Sequence, residues 1–311
     1  MTSTPRLEFG FNPPQTLAGI HAMPRNKYLP ALSRTLDIAT QGFTSFWFGD
    51  HLDAKGAYMM ESWTFLTWLA SRYPRVKLGT IAMCNVFRNP SVVAKMGATL
   101  QALSSGRFVL GYGAGGPINE PERIQYGLPS PGPKTRIEMM DEAIQVIRAL
   151  WTQPSASFDG RYYQLKDAIC EPRPTPVPPV QIGGVGEKYT LGVVARQADW
   201  WNLPHDRLTE ADHKLDVLRE HCDREGRDID TIRKTFTAVV YLDRDNAAAV
   251  EASKELTDKG MPQIAGDPQA VRDQLTQLAE QGFSLAMLWF PGFPETEDVE
   301  IFMDEVIPYF G

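Results

Sequence analysis

His51 follows Asp50 in the run FTSFWFGDHLD, at the end of what reads as a strand. An imidazole titrates near neutrality, so a histidine at a strand end can give or take a proton beside a reacting carbon. The plainer alternative is a loop histidine hydrogen-bonded to its neighbours. A second stretch, IGGVGEKYTL from Ile182 to Leu191, sets Gly183, Gly184 and Gly186 between a strand and a helical pattern. Glycine lets a backbone approach a ligand closely. The unpaired N–H groups of a helix start carry partial positive charge, which suits a phosphate. The spacing is that of neither a Walker loop nor the dinucleotide fingerprint, and such turns also occur without ligands. Lys188 either adds charge there or lies on a solvated helix face. Glu120 and Glu122, in GGPINEPE, are either the acid pair of a glycosidase or a solvated acidic loop. Arg88, just before Asn89 and Pro90, either binds an anion or ties down its own loop.

The bulk numbers narrow the function classes. The chain has 311 residues, 43% of them hydrophobic, which is ample for a sizeable core. Its net charge of -7 builds no basic face, so nucleic acid and anionic membrane are poor partners. The start MTSTPRLEFGFNPP lacks the charged and apolar regions of a signal peptide. No apolar run approaches the roughly 18 residues of a membrane span. Cys84, Cys170 and Cys222 are few, odd in number and far apart, so neither a disulfide framework nor a metal site is expected. A reducing, cytoplasmic setting follows.

Positioning these residues falls to a regular alternation of elements. RLEFGF, TSFWFGD, VKLGTIAM and RFVLGYG read as the first four strands. PVQIGG, DWWNL, TFTAVVYLD and SLAMLWF read as the next four. Amphipathic helices separate them, and two carry clear start signals: Asn89 before Pro90, and Asp267 before Pro268. A helix also follows the glycine turn, in EKYTLGVVARQ, while SFDGRYYQL reads as a surface hairpin. Strand–helix alternation implies a parallel sheet, and eight units over this length fit a closed (β/α)8 TIM barrel with loop insertions, or else an open doubly wound sheet. No compositional break divides residues 1–311, so a single domain is expected. In a barrel, functional residues lie at the C-terminal ends of strands. GDHLD, AMCNVFRNP, GAGGPINEPE and GGVGEK all fall at such ends. Trp47, Phe48, Trp63 and Phe87 are expected to line the mouth with apolar surface, beside Glu120.

Taken together, the chain resembles the bacterial luciferase-like superfamily of flavin- and deazaflavin-dependent oxidoreductases. The resemblance is carried by FTSFWFGDHL, ESWTFLTWLA, VKLGTIAMCNVFRNPSVVAKMGATLQALSSGRFVLGYGAGG, FDGRYYQL and PPVQIGGVGEKYTLGVVARQADWWN. The form of the last block is most similar to the branch that depends on coenzyme F420, an 8-hydroxy-5-deazaflavin. The resemblance implies that the cofactor phosphate rests on Gly183, Gly184, Val185 and Gly186. It implies a bulge with a non-prolyl cis peptide near Ile81 and Ala82, behind the ring. Asn85 and Gly113, at the ends of the third and fourth strands, complete the implied cofactor site. Asp50 and His51 hold the family's DH position, where the histidine acts in proton transfer, with Asp50 setting its tautomer. In the related glucose-6-phosphate dehydrogenase branch a glutamate serves as acid where this chain has Gly116, and Glu120 or Glu122 is the candidate replacement.

The function so implied is hydride transfer between F420 and a small carbonyl, imine or activated alkene. The alternative within the same fold is a monooxygenase using reduced FMN. A glycosidase built on Glu120 and Glu122, or a non-catalytic flavin-binding protein, stands further off. The superfamily pattern also implies a homodimer.

Overall fold

A computed structural model describes residues 6–16, 23–53 and 55–311. Residues 1–5, where the sequence argues against a signal peptide, lie outside the described residues. Twelve strands and ten helices follow one another along the described chain. The strands are β1 (Glu8–Phe11), β2 (Ser45–Phe48), β3 (Lys77–Thr80), β4 (Met83–Cys84), β5 (Phe108–Gly113), β6 (Ala156–Asp159) and β7 (Gln164–Ala168). They continue with β8 (Val180–Gly183), β9 (Trp200–Leu203), β10 (Arg233–Leu242), β11 (Ile264–Gly266) and β12 (Phe283–Trp289).

Eight of these strands close a parallel ring in the order β1, β2, β3, β5, β8, β9, β10, β12. The ring shuts where Glu8–Phe11 pairs with Leu285–Leu288. This is the closed (β/α)8 barrel. β4 extends the third strand after a bend and pairs with β5, β11 adds to β10, and β6 with β7 forms the antiparallel hairpin expected at SFDGRYYQL. Among the described residues no helix is long and apolar enough to cross a membrane.

The helices are α1 (Arg25–Ala39), α2 (Ser62–Arg72), α3 (Pro90–Leu103), α4 (Glu120–Gln125), α5 (Pro133–Thr152), α6 (Thr190–Gln197), α7 (Ala211–Arg224), α8 (Asn246–Thr257), α9 (Pro268–Glu280) and α10 (Glu297–Ile301). The sequence-level caps hold. The Asn89 side chain accepts from Ser91 N at 2.9 Å, and Asp267 accepts from Ala270 N at 2.9 Å. Each relieves an unpaired donor at a helix start. α6 begins later than EKYTLGVVARQ implies, at Thr190 rather than at Glu187.

Alternate residues of each strand face two different cores. Phe46 and Phe48 join the large core between barrel and helices, with Phe48 packed on Phe65 at a ring separation of 5.1 Å. Trp47 points the other way, into the barrel, among Val109, Leu285 and Met287. Its indole needs the absence of side chains on two neighbouring strands. A Cβ on Gly79 would fall 2.0 Å from Trp47 Cζ3, and one on Gly10 would fall 2.6 Å from Cδ1. Trp47 is therefore a plug in the barrel interior and lines no mouth.

Overpacking a filled interior costs about 1–3 kcal/mol. Gly79→Ala is expected to lower the stability by at least that amount, read as a lower urea midpoint at unchanged slope. A wild-type midpoint would show that the indole can move aside.

Candidate active site

The site begins where β2 ends, at Gly49, Asp50 and His51. Asp50 is buried, and its carboxylate accepts from Arg88 Nη1 at 2.6 Å, Arg88 Nη2 at 3.1 Å and Cys84 N at 2.9 Å. Arg88 also reaches Glu61, whose side chain caps α2 by accepting from Trp63 N and Thr64 N. Desolvation opposes the ionised form of Glu61, but the hydrogen bonds at the helix start and the Arg88 charge outweigh it, and its pKa is lowered. Arg88 thus ties down its loop, as one of its two sequence readings has it. Asp50 fastens the exits of β2 and β3 together and is not the partner of the imidazole.

That partner is Glu122. His51 Nδ1 lies 2.7 Å from Glu122 Oε1. The other carboxylate oxygen accepts from Leu52 N and from Asp53 N, the latter at 3.3 Å. An ionised carboxylate only accepts, so Nδ1 carries a proton and donates it. The protonation of Nε2 is then what changes when the ring gives or takes a proton. Asn119 supports the carboxylate, its Nδ2 donating to Oε1 at 3.4 Å, while its Oδ1 accepts from Gly116 N at 3.0 Å. Glu122 therefore reaches the site through the imidazole. Glu120, the other candidate, is exposed at the start of α4 and lines no part of the cavity.

His51 borders a cavity of about 440 Å³ at the C-terminal mouth of the barrel. Part of its wall is poor in side chains. Ile81 and Ala82, joined by a cis peptide bond, meet Gly113 and the pair Gly183 and Gly184. A Cβ on Gly113 would lie 3.4 Å from the Ala82 methyl, and one on Gly183 would lie 3.7 Å from it. Three strand ends thus present a face made of glycine backbone, the Ala82 methyl and the Ile81 side chain. Gly184 adopts a φ of 122°, open to glycine at little cost. Its carbonyl accepts from Trp201 Nε1 at 3.0 Å, which fixes the turn.

One arginine lines this cavity and a second lies behind its loop. Arg136, from α5, lines it and donates to Gly115 O at 3.1 Å and Pro131 O at 2.8 Å. Arg123 is fully buried behind the same loop, donating to Ser130 Oγ and Gly116 O, and its Nη2 has no partner among the described residues. Neither guanidinium bonds a carboxylate. Burial first, and then the neighbouring Arg123 charge, lowers the pKa of Arg136. A buried cation without a counter-charge favours an anion beside it. Elsewhere on the rim, burial pulls His205 below the usual imidazole range, and its ring stands edge-on to Trp289 at 5.5 Å. Burial pushes the Cys84 thiol up to about 11, so it stays protonated at neutrality.

Several sequence-level expectations are corrected here. Asn85 is buried, accepts from Tyr112 Oη at 3.0 Å and Tyr163 Oη at 3.5 Å, and does not line the cavity. Phe87 packs with Cys84 and Val86, and Trp63 stands edge-on to Phe108 at 5.4 Å, beside a groove formed by α2 and α3. Neither reaches the mouth, whose apolar lining comes instead from Ile81, Ile137 and Trp289. Val185 packs on the core and Gly186 is exposed. A Cβ on Gly186 would fall 2.8 Å from Thr190 Oγ1, so this glycine makes room for the start of α6. Lys188 is exposed, with its ammonium 5.3 Å from the Tyr189 ring centre. No acid pair faces the cavity, because Glu120 is outside it and Glu122 is held by three donors. Sequence reading missed Arg136, Thr190, Asn202, His205 and Trp289. Asn202 and Trp289 lie at strand ends and were findable on that ground. Arg136 sits within a helical pattern that gives no hint of it.

A sequence model of the luciferase-like monooxygenase family matches residues 8–286. The chain belongs to that family. Within it, an F420-dependent glucose-6-phosphate dehydrogenase of Intrasporangium calvum is 28% identical over 302 residues, covering 86% of this chain and 90% of the relative. An F420-dependent secondary alcohol dehydrogenase, solved with an F420-acetone adduct, superposes with a TM-score of 0.83 at 21% identity, covering 98% of this chain and 99% of that one. A monooxygenase of Streptomyces bottropensis superposes with a TM-score of 0.81 at 18% identity, covering 98% of this chain and 100% of the other. The luciferase-like barrel is thus shared by enzymes named for deazaflavin and for oxygen chemistry.

Nitrogen NMR of imidazole-labelled protein, at a pH where the ring is neutral, is expected to find the proton of His51 on Nδ1. Glu122→Ala should move it toward Nε2. An unchanged tautomer in that variant would show that Glu122 does not set the ring.

Proposed function

We propose that this chain is an F420-dependent oxidoreductase whose site moves a hydride and a proton between the deazaflavin and a small organic substrate. One observation carries the reading. An imidazole with its Nδ1 fixed by Glu122 borders a cavity walled in part by the backbone of Gly113, Gly183 and Gly184, the Ala82 methyl and the Ile81 side chain. A side-chain-poor wall suits a tricyclic ring. The Arg136 guanidinium and the backbone of Gly183 and Gly184, with Arg123 buried behind the neighbouring loop, suit a phosphate-bearing tail. The name of the Intrasporangium relative points the same way.

F420, when bound, gives or accepts a hydride at its ring carbon. The chain supplies the rest. Ile81, Ala82 and Gly113 hold the ring face. His51 Nε2 gives or takes the proton on the substrate heteroatom or carbon. Glu122 keeps that nitrogen, and not Nδ1, as the exchanging one, while Asp50 holds the loop in place through Arg88 and Cys84 N. Carbonyl, imine and activated alkene substrates all need this pairing of hydride and proton. The cytoplasmic setting and a homodimer belong to the same reading, and sedimentation velocity measures the second.

The family description and the Streptomyces structure favour a second reading, a monooxygenase using reduced FMN. The two separate cleanly in solution. Titrating apo-protein with each cofactor and following fluorescence is expected to give tighter binding of F420 than of FMN. Preference for FMN, with oxygen uptake on reduction, would replace the first reading with the second.

General acid–base groups contribute typically 10²–10⁴-fold. His51→Ala is expected to lower kcat by about that factor while leaving F420 affinity within about twofold. Wild-type turnover in that variant would remove His51 from the chemistry.

A further inference from the structure

His51 has a second cavity on its other side. It measures about 350 Å³ and shares Gly49, His51, Ile81 and Trp289 with the first. The remaining walls come from the ends of β1, β10 and β12, from Met59 in the loop before α2 and from Leu256 of α8. Its surface is mostly Met59, Ile81, Val239, Leu256, Trp289 and Phe290. Among the described residues no Lys, Arg, Asp or Glu lines it. The residues outside the description, 1–5, 17–22 and 54, contain none of those four types in their sequence.

Some polar groups of this chamber are engaged within the protein. Gln15 Nε2 donates to Met60 O and to Ser62 Oγ, both at 3.0 Å. Thr16 Oγ1 donates to Tyr58 O at 3.1 Å. Tyr241 adds a phenol to the lining. Asn12 differs. It lies just past β1, it is 2% exposed, and its Nδ2 has no partner among the described residues. A buried amide donor left unmatched is costly, and a ligand oxygen would satisfy it.

We propose that this chamber is the substrate site, and that it selects an uncharged, mainly apolar carbonyl compound or the corresponding alcohol, with the Asn12 amide donating to its oxygen. The assignment rests on the F420 reading above. A phosphate ester brings charge that must be paired when it is buried, and nothing in this lining pairs it. The chamber therefore rejects phosphorylated sugars, in contrast to the substrate named for the Intrasporangium relative.

The test has two stages on the purified full chain. F420 alone is titrated first, and absence of binding there overturns the cofactor reading and this assignment with it. The saturated complex is then given cyclohexanol, benzyl alcohol or glucose 6-phosphate, with perturbation of the bound F420 spectrum and F420 reduction as readouts. At least one alcohol is expected to do both and the sugar phosphate neither. Asn12→Ala should raise the alcohol KM by about tenfold, the worth of one hydrogen bond, with kcat within about twofold and F420 affinity unchanged. Asn12→Ser, which keeps a donor, should recover part of that loss. Reduction by glucose 6-phosphate, or F420 binding with no response to either alcohol, would overturn the substrate class. A wild-type KM in Asn12→Ala would overturn the role of the amide.

Discussion

The carboxylate of Glu122 gathers three donors from one short stretch: the Nδ1 of His51 and the amides of Leu52 and Asp53. Everything else in the site takes its position from that clasp. It draws the loop after β2 against the helical turn after β5, 70 residues further along the chain. It leaves a single imidazole nitrogen open to exchange. A second clasp lies beside it, where Asp50 holds Arg88 and the Cys84 amide. The two acids flank one another in space and do different work, because each meets a different set of donors. Asp50 joins two loops into a frame. Glu122 sets the chemistry of the ring mounted on that frame.

His51 stands at the boundary of two chambers of contrasting character. One is walled by glycine backbone and carries unpaired arginine charge. The other is apolar, with no Lys, Arg, Asp or Glu among its described lining residues. A proton-transfer group is useful only where it can reach both a cofactor edge and a substrate atom. The barrel provides that place because adjacent strand ends point into a common mouth. The division also separates two recognition problems. Charge and backbone amides meet an anionic group on one side, and shape with one amide donor meets a neutral molecule on the other.

Much of this was readable from the residues. The eight strands, the caps at Asn89 and Asp267, the hairpin and the strand-end position of His51 followed from periodicity and punctuation. Ile81, Ala82, Gly113, Gly183 and Gly184 were placed through family resemblance, and they do meet at one wall. The failures have physical causes. A parallel barrel strand is buried on both faces, so SFWF carries no alternation to tell which side is inward. Trp47 was therefore assigned to the mouth when it fills the interior. Glu120 and Glu122 are alike in sequence, and only the direction of a single helical turn separates an exposed acid from a buried one. The cofactor turn was taken to run directly into a helix, but Gly186 through Tyr189 intervene before α6 begins. Arg136 had no sequence signal at all, since its role depends on where a long helix crosses the mouth.

The closure of the ring between β1 and β12 has a consequence for how the protein is made. The glycine wall is encoded by Gly184, well before the end of the chain. The apolar chamber needs Asn12 from near the beginning and Trp289 and Phe290 from near the end. Trp289 lines the first cavity as well, so neither compartment is whole until the last strand has emerged. The growing polypeptide thus gains both recognition surfaces together, with the final strand.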